Sequence, residues 1–130
     1  MYIPEVNAKP LIAEEILHPE KSFHVEIVPG SAIPSQVKNF TPIEARATIE
    51  IDNRIIWTNN DTVPHTVTTD DGYVDVINGK FDTLAHEDIG GFVMPGKEWE
   101  FTFTKVGEFP YHCEPHPWMK GKVVIVENFS

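Results

Sequence analysis

From residue 22 the chain alternates apolar and polar side chains with a period of two: Phe23, Val25 and Ile27 stand against Ser22, His24 and Glu26. That period puts every second side chain on one face of a strand, so the segment predicts a strand with one face buried. The alternation returns in Ala45, Ala47, Ile49 and Ile51 against Arg46, Thr48 and Glu50, and again in Ile55 and Trp57. Asp52 and Asn53 lie between these two runs and supply turn chemistry, which predicts a hairpin. Trp99, Phe101 and Phe103 alternate with Glu100, Thr102 and Thr104 after the turn signal "MPG" and before Gly107, while the closing "KVVIVE" is apolar on both faces and reads as a central strand.

Short strands at this spacing, punctuated by 11 prolines and 8 glycines and without a long amphipathic helix, predict an all-β fold. The expected architecture is an antiparallel Greek-key β-sandwich. Residues 1–21, with Pro4, Pro10 and Pro19 around "LIAEEIL", are expected to form an N-terminal arm, and residues 22–130 the single domain. The acidic stretch from 68 to 91 is long for a loop, so it is either functional or carries structure of its own.

At 130 residues the chain suits one hydrophobic core. Its 20 acidic and 10 basic side chains give a formal charge of −10, which argues against nucleic acid and favours a basic macromolecular partner. No apolar run is long enough to span a bilayer, and "MYIPEVNAKP" has neither the basic start nor the apolar core of a signal peptide. Either the protein is cytosolic or an export segment is absent from this sequence.

The only cysteine, Cys113, cannot form an internal disulfide. It sits in "FPYHCEPHPWMKG", with His116 three residues on and Met119 three beyond that. Thiolate, imidazole and thioether form a soft donor set that favours copper over magnesium, calcium or manganese. Pro115 and Pro117 restrict the loop, so that all three side chains can turn toward one point. A second histidine completes a trigonal His2Cys site with a long axial methionine, the geometry of copper electron-transfer sites. His65, at the end of "WTNNDTVPH" and stiffened by Pro64, is the candidate. His112 is a poorer one, because a strand turns the neighbour of Cys113 to the opposite face. His18, His24 and His86 read as surface histidines.

Taken singly, Cys113 is most often a small buried hydrophobe and Met119 a core filler. Zinc is the alternative metal, although it has little use for a thioether. A cysteine nucleophile with His112 or His116 as its base is a further reading.

"YHCEPHPWMKGKVVIV" resembles the C-terminal copper loop of the plastocyanin and amicyanin family, and "WTNNDTVPHTV" resembles its upstream histidine segment. The likeness extends through "FDT" and "MPGKEWEFTFTKVGEFPYHC", over roughly residues 45 to 128, and leaves residues 1–21 outside. It implies a cupredoxin: a β-sandwich with one Cu(I)/Cu(II) ion held by His65, Cys113, His116 and Met119, moving one electron at a time between redox partners. The resemblance also implies that Thr66, after the first histidine, ties its strand to Glu114. Here a side chain shorter than usual has to reach, and the Pro64 carbonyl faces copper opposite Met119. His116 becomes the electron port, within an apolar patch of Pro64, Met94, Pro115, Pro117 and Trp118. An acidic rim around that patch suits a redox protein with a basic docking face. Cupredoxins work outside the cytoplasm, which implies a periplasmic or extracellular protein whose export or anchor segment is absent here.

Trp118 reads equally as a cover over the metal or as a loop anchor on a neighbouring strand. Two other functions stay open. If the axial position is vacant or holds water, the site becomes that of an oxidoreductase taking nitric oxide to nitrite; if charge moves slowly, the protein becomes a copper carrier or sensor. The donor set fits an electron-transfer protein better than a turnover enzyme.

Overall fold

A computed structural model describes residues 13–129. A single turn of helix, α1 (Glu14–Leu17), precedes ten strands: β1 (Ser22–Ile27), β2 (Phe40–Thr41), β3 (Glu44–Thr48), β4 (Arg54–Asn59), β5 (Thr68–Thr69), β6 (Val74–Asp75), β7 (Gly79–Lys80), β8 (Glu98–Thr102), β9 (Gly107–His112) and β10 (Lys120–Val126). They form two four-stranded sheets, ordered β2-β1-β4-β8 and β3-β10-β9-β5, with β6 and β7 as a separate hairpin. Most of the proposed arm, residues 1–12, lies outside the described residues; of the remainder, Ile16 accepts a hydrogen bond from Asn53 Nδ2 at 2.9 Å.

Alternation decides which side chains fill the space between the sheets. In β4 Ile55 and Trp57 point inward, and in β8 Trp99 and Phe101 do so. β10 is central in its sheet, and Val123, Val124 and Ile125 are all buried, as its doubly apolar sequence requires. The core is aromatic: Phe81 packs against Trp57, Trp99, Phe101, Phe103 and Tyr111. Burying each such ring contributes about 1.5–3 kcal/mol. Trp57 Nε1 donates to the Tyr111 hydroxyl at 3.1 Å and so links β4 in one sheet to β9 in the other.

Two expectations are corrected. Residues 45–57 do not form a hairpin: β3 pairs with β10, whereas β4 pairs with β1 and β8. The Asp52-Asn53 turn carries the chain from one sheet to the other. Asp52 Oδ1 accepts from Thr48 N–H at 2.7 Å, Asn53 Oδ1 from Glu50 N–H at 2.9 Å, and Asn53 Nδ2 reaches the Phe103 carbonyl at 2.8 Å. Glu50 takes a left-handed φ of 76°, which ends the strand before Ile49 and Ile51 can continue its alternation, and Ile51 is exposed. The sheets are also mixed rather than antiparallel, because β1 runs parallel to β4 and β3 parallel to β10.

The long acidic stretch has its own structure: β6, β7 and two 3-10 turns, Thr83–Ala85 and Glu87–Ile89. Asp75, 1% exposed, organises it by accepting from the N–H groups of Ile77, Asn78 and Thr104 and from the hydroxyls of Tyr73 and Thr104. Burial alone would raise its carboxyl; these bonds outweigh that and hold its pKa below the ordinary carboxylate value. Among the described residues no helix is long and apolar enough to cross a membrane.

Candidate metal centre

β4 delivers the chain to His65 at one end of the sandwich, and the connection between β9 and β10 carries Cys113, His116 and Met119 to the same end. Spacings of three have a direct cause in that connection. His116 N–H donates to the Cys113 carbonyl at 3.2 Å and Met119 N–H to the His116 carbonyl at 2.8 Å, so two successive turns return the chain to the same side. Cys113 N–H then closes the loop on the Met119 carbonyl at 3.1 Å.

Three donor atoms converge there. Cys113 Sγ lies 3.6 Å from His65 Nδ1 and 3.4 Å from His116 Nδ1, and the two nitrogens are 3.2 Å apart. The centre of such a triangle is about 2 Å from each corner, the length of a bond from a first-row metal to imidazole nitrogen. His65, Cys113 and Met119 are fully buried, while His116 is half-buried and forms the outer corner.

Hydrogen bonds behind the donors set their state. His65 Nε2–H donates to Asp61 Oδ2 at 2.7 Å, which places the ring proton on Nε2 and leaves Nδ1 a free lone pair facing Cys113 and His116. Burial keeps the imidazole below its ordinary pKa, only partly opposed by Asp61, so it is neutral. Asp61 itself would be raised by burial, but bonds from Gly30 N–H at 2.9 Å, His65 and Thr62 N–H at 2.8 Å outweigh this and keep it ionised. Burial pushes the Cys113 thiol up, while Thr66 N–H, 3.4 Å from Sγ, favours the thiolate. Two inward-facing imidazole nitrogens and a buried sulfur within 3.6 Å of one another fit a soft first-row cation such as copper.

Thr66 does more than point an amide at the sulfur. Its Oγ1 accepts from Glu114 N–H at 2.8 Å, so the short side chain spans from the His65 segment to the residue after Cys113. His65 also exchanges backbone hydrogen bonds with Val93, at 3.2 and 2.8 Å. Asn59 Nδ2 holds the carbonyls of Val63 and Val93, and its Oδ1 accepts from Asp61 N–H. His112 faces away, as alternation requires: its nitrogens are bonded to Asp70 and Glu114, whose carboxylates more than offset burial and raise its pKa. Of the residues expected in an apolar patch, Met94, Pro115 and Pro117 are exposed, and Pro64 and Trp118 are half-buried.

Trp118 is anchored on a neighbouring segment and lies against His116. Its ring lies 5.4 Å from that of His116, and its Nε1–H donates to the Ser31 carbonyl at 2.9 Å while the ring packs on the edge of the core. Asp61 was not legible as a site residue: in "NNDTVPH" it reads as turn chemistry, and only its place four residues before His65 hints otherwise.

Residues 35–126 match the family described as "Copper binding proteins, plastocyanin/azurin family". The chain is 27% identical to an amicyanin of Paracoccus versutus over 108 residues, covering 82% of this chain and 74% of that protein. It is 36% identical to a chloroplastic plastocyanin of Tetradesmus obliquus over 84 residues, 62% of this chain and 55% of that one. Among solved structures, a purple cupredoxin from Nitrosopumilus maritimus superposes with a TM-score of 0.61 at 22% identity, covering 81% of this chain and all of that one. A Cu(I) form of an amicyanin variant gives 0.54 at 24% identity, covering 82% and 84%. Both share the fold.

Proposed function

Because this chain belongs to the plastocyanin/azurin family of copper-binding proteins and is a cupredoxin with one copper site, we propose that it works as a one-electron carrier between redox partners. His65, Cys113 and His116 hold the ion and Met119 is the weak axial donor. The observation that supports this most is the triangle of Sγ and two Nδ1 atoms with sides of 3.2 to 3.6 Å. Bound copper supplies a centre that alternates between Cu(I) and Cu(II).

What the chain supplies is a set of donors that hardly moves. Asp61 fixes the His65 ring, Thr66 pins the Cys113 turn, and the loop hydrogen bonds fix His116 and Met119. A carrier whose ligands stay put reorganises little on each transfer. Burial of Cys113, His65 and Met119 excludes water and favours the ion's lower charge. Half-buried His116, among Met94, Pro115 and Pro117, is the route by which electrons enter and leave.

The carboxylates of Asp70 and Glu114 lie beside the Cys113 turn, with His112 held between them. They form the edge on which a redox protein with a basic face docks, in brief and weak encounters. The working compartment is periplasmic or extracellular, as the family likeness suggests. The nitric oxide reading is not favoured, since burial of Met119 and His65 gives no open face toward the donors other than that of His116.

Cyclic voltammetry of the copper-loaded protein tests the carrier reading. A reversible one-electron wave with fast self-exchange supports it. Slow exchange with ready metal loss points to a copper carrier or sensor instead.

A further inference from the structure

Beside Trp118, the segment from Val37 to Ile43 forms one wall of a cleft, and Ile43 and Lys120 at its rim also border a neighbouring hollow that holds Glu44 and Asp70. The cleft has a volume of about 350 Å3 and is lined by Val37, Asn39, Phe40, Ile43, Trp118 and the two lysines Lys38 and Lys120. Three features separate it from an ordinary surface hollow.

Its apolar wall is exposed yet braced. Val37 is 91% and Ile43 66% exposed, although the loop that carries Val37 is closed by hydrogen bonds. Val28 N–H bonds to the Asn39 carbonyl at 2.9 Å, Gln36 N–H to Ile33 at 3.0 Å, and Gln36 Nε2 to the carbonyls of Pro29 and Lys38 at 3.0 and 2.7 Å. A loop braced in this way holds its apolar side chains in water at a steady cost that binding would remove.

The charge of the cleft is opposite to that of the chain. Acidic side chains outnumber basic ones two to one overall, yet the only charged residues lining it are Lys38 and Lys120, neither in an ion pair among the described residues. Behind them Asn39, 7% exposed, has its Oδ1 as the one buried side-chain polar atom among the described residues with no hydrogen-bond partner. Such an atom is costly to leave unpaired.

The cleft is tied to both imidazoles. The Ser31 carbonyl of the same loop receives Trp118 Nε1–H, and the Trp118 ring touches that of His116. One residue earlier, Gly30 N–H holds Asp61, which holds His65. An occupant of the cleft therefore rests on Trp118 and on a loop bonded to the support of each histidine.

We propose that this cleft is a second docking site, for a redox protein that presents an apolar side chain flanked by carboxylates. The inference rests on the carrier reading, in which a donor and an acceptor must both be met. It assigns a basic partner to the Asp70–Glu114 edge and an acidic, apolar-tipped partner to the part of the cleft around Val37, Lys38 and Trp118, with Lys120 and Ile43 at the border between the two sites.

The test is an NMR titration of the Cu(I)-loaded protein with a short synthetic peptide carrying one phenylalanine between pairs of aspartates, beside its lysine counterpart. The aspartate peptide is expected to shift the amides of Val37 to Ile43 and the Trp118 indole N–H in a saturable way. The exposed pair Lys38→Glu and Lys120→Glu, which leaves the fold intact, is expected to weaken this binding by about tenfold. Equal shifts from the lysine peptide, no shifts at these residues, or unchanged affinity in the double variant would overturn the proposal. The two readings fail separately. Binding at the cleft in a protein without a reversible copper wave removes the carrier reading, and a reversible wave without binding removes only the cleft.

Discussion

The imidazole of His65 is held from behind by the carboxylate of Asp61, 2.7 Å from Nε2, while its other nitrogen faces Cys113 and His116. A carboxylate at that position makes the ring a stronger donor and stabilises the higher charge on a bound ion. Asp61→Asn keeps an acceptor but removes the charge. It is expected to leave the copper spectrum recognisable and to raise the reduction potential, by about 59 mV for each tenfold shift in the one-electron equilibrium. Asp61→Ala removes the acceptor too, and copper affinity should fall roughly 10- to 100-fold in a competition titration.

Thr66 Oγ1 and Glu114 N–H form the cross-link between the two ligand segments. Thr66→Val keeps the shape and removes the acceptor, leaving an amide without its partner. We expect a loss of about 1–3 kcal/mol in denaturant unfolding and faster copper release to a chelator, with Thr66→Ser restoring most of both.

Gly121 faces Tyr111 across β10 and β9, and a Cβ added there would lie 2.5 Å from Tyr111 Cζ and its hydroxyl oxygen. Tyr111 stands two residues before Cys113 on the same inward face, so its displacement is passed to the sulfur. Gly121→Ala should cost about 1–3 kcal/mol and shift the thiolate-to-copper band, readable by chemical unfolding and absorption.

Asp75 gives the fold a dependence on acid. Its native pKa is lowered, so its contribution is present in full above the unfolded value of about 3.9 and is lost as pH falls through the native one. Unfolding curves of the native protein should therefore steepen in their loss of stability on the acid side. Asp75→Asn should be less stable near neutrality, have a flatter profile, and approach the native protein at low pH.

Much of this molecule could be read before any coordinates. Alternation located Val25, Ile27, Ile55, Trp57, Trp99, Phe101 and Phe103 on buried faces, because a strand's period is fixed by its backbone. Pairing was less legible: Asp52 and Asn53 mark a turn, but turn chemistry does not say whether the chain returns to the same sheet or crosses to the other. The spacing of Cys113, His116 and Met119 reflects successive turns within one loop, which is local and so visible in sequence. Asp61 is only four residues from His65, but Gly30 and Ser31 reach the supports of the histidines across 31 residues to Asp61 and 87 to Trp118, and no local pattern encodes that.

The central claim is that Cys113 is the thiolate ligand of a copper ion shared with His65 and His116. Absorption and EPR spectra of the protein with Cu(II), measured beside Cys113→Ser, test it most directly. The account predicts an intense thiolate-to-copper band and a narrow copper hyperfine splitting, both absent from Cys113→Ser. Weak tetragonal Cu(II) signals that are the same in the two proteins would contradict it.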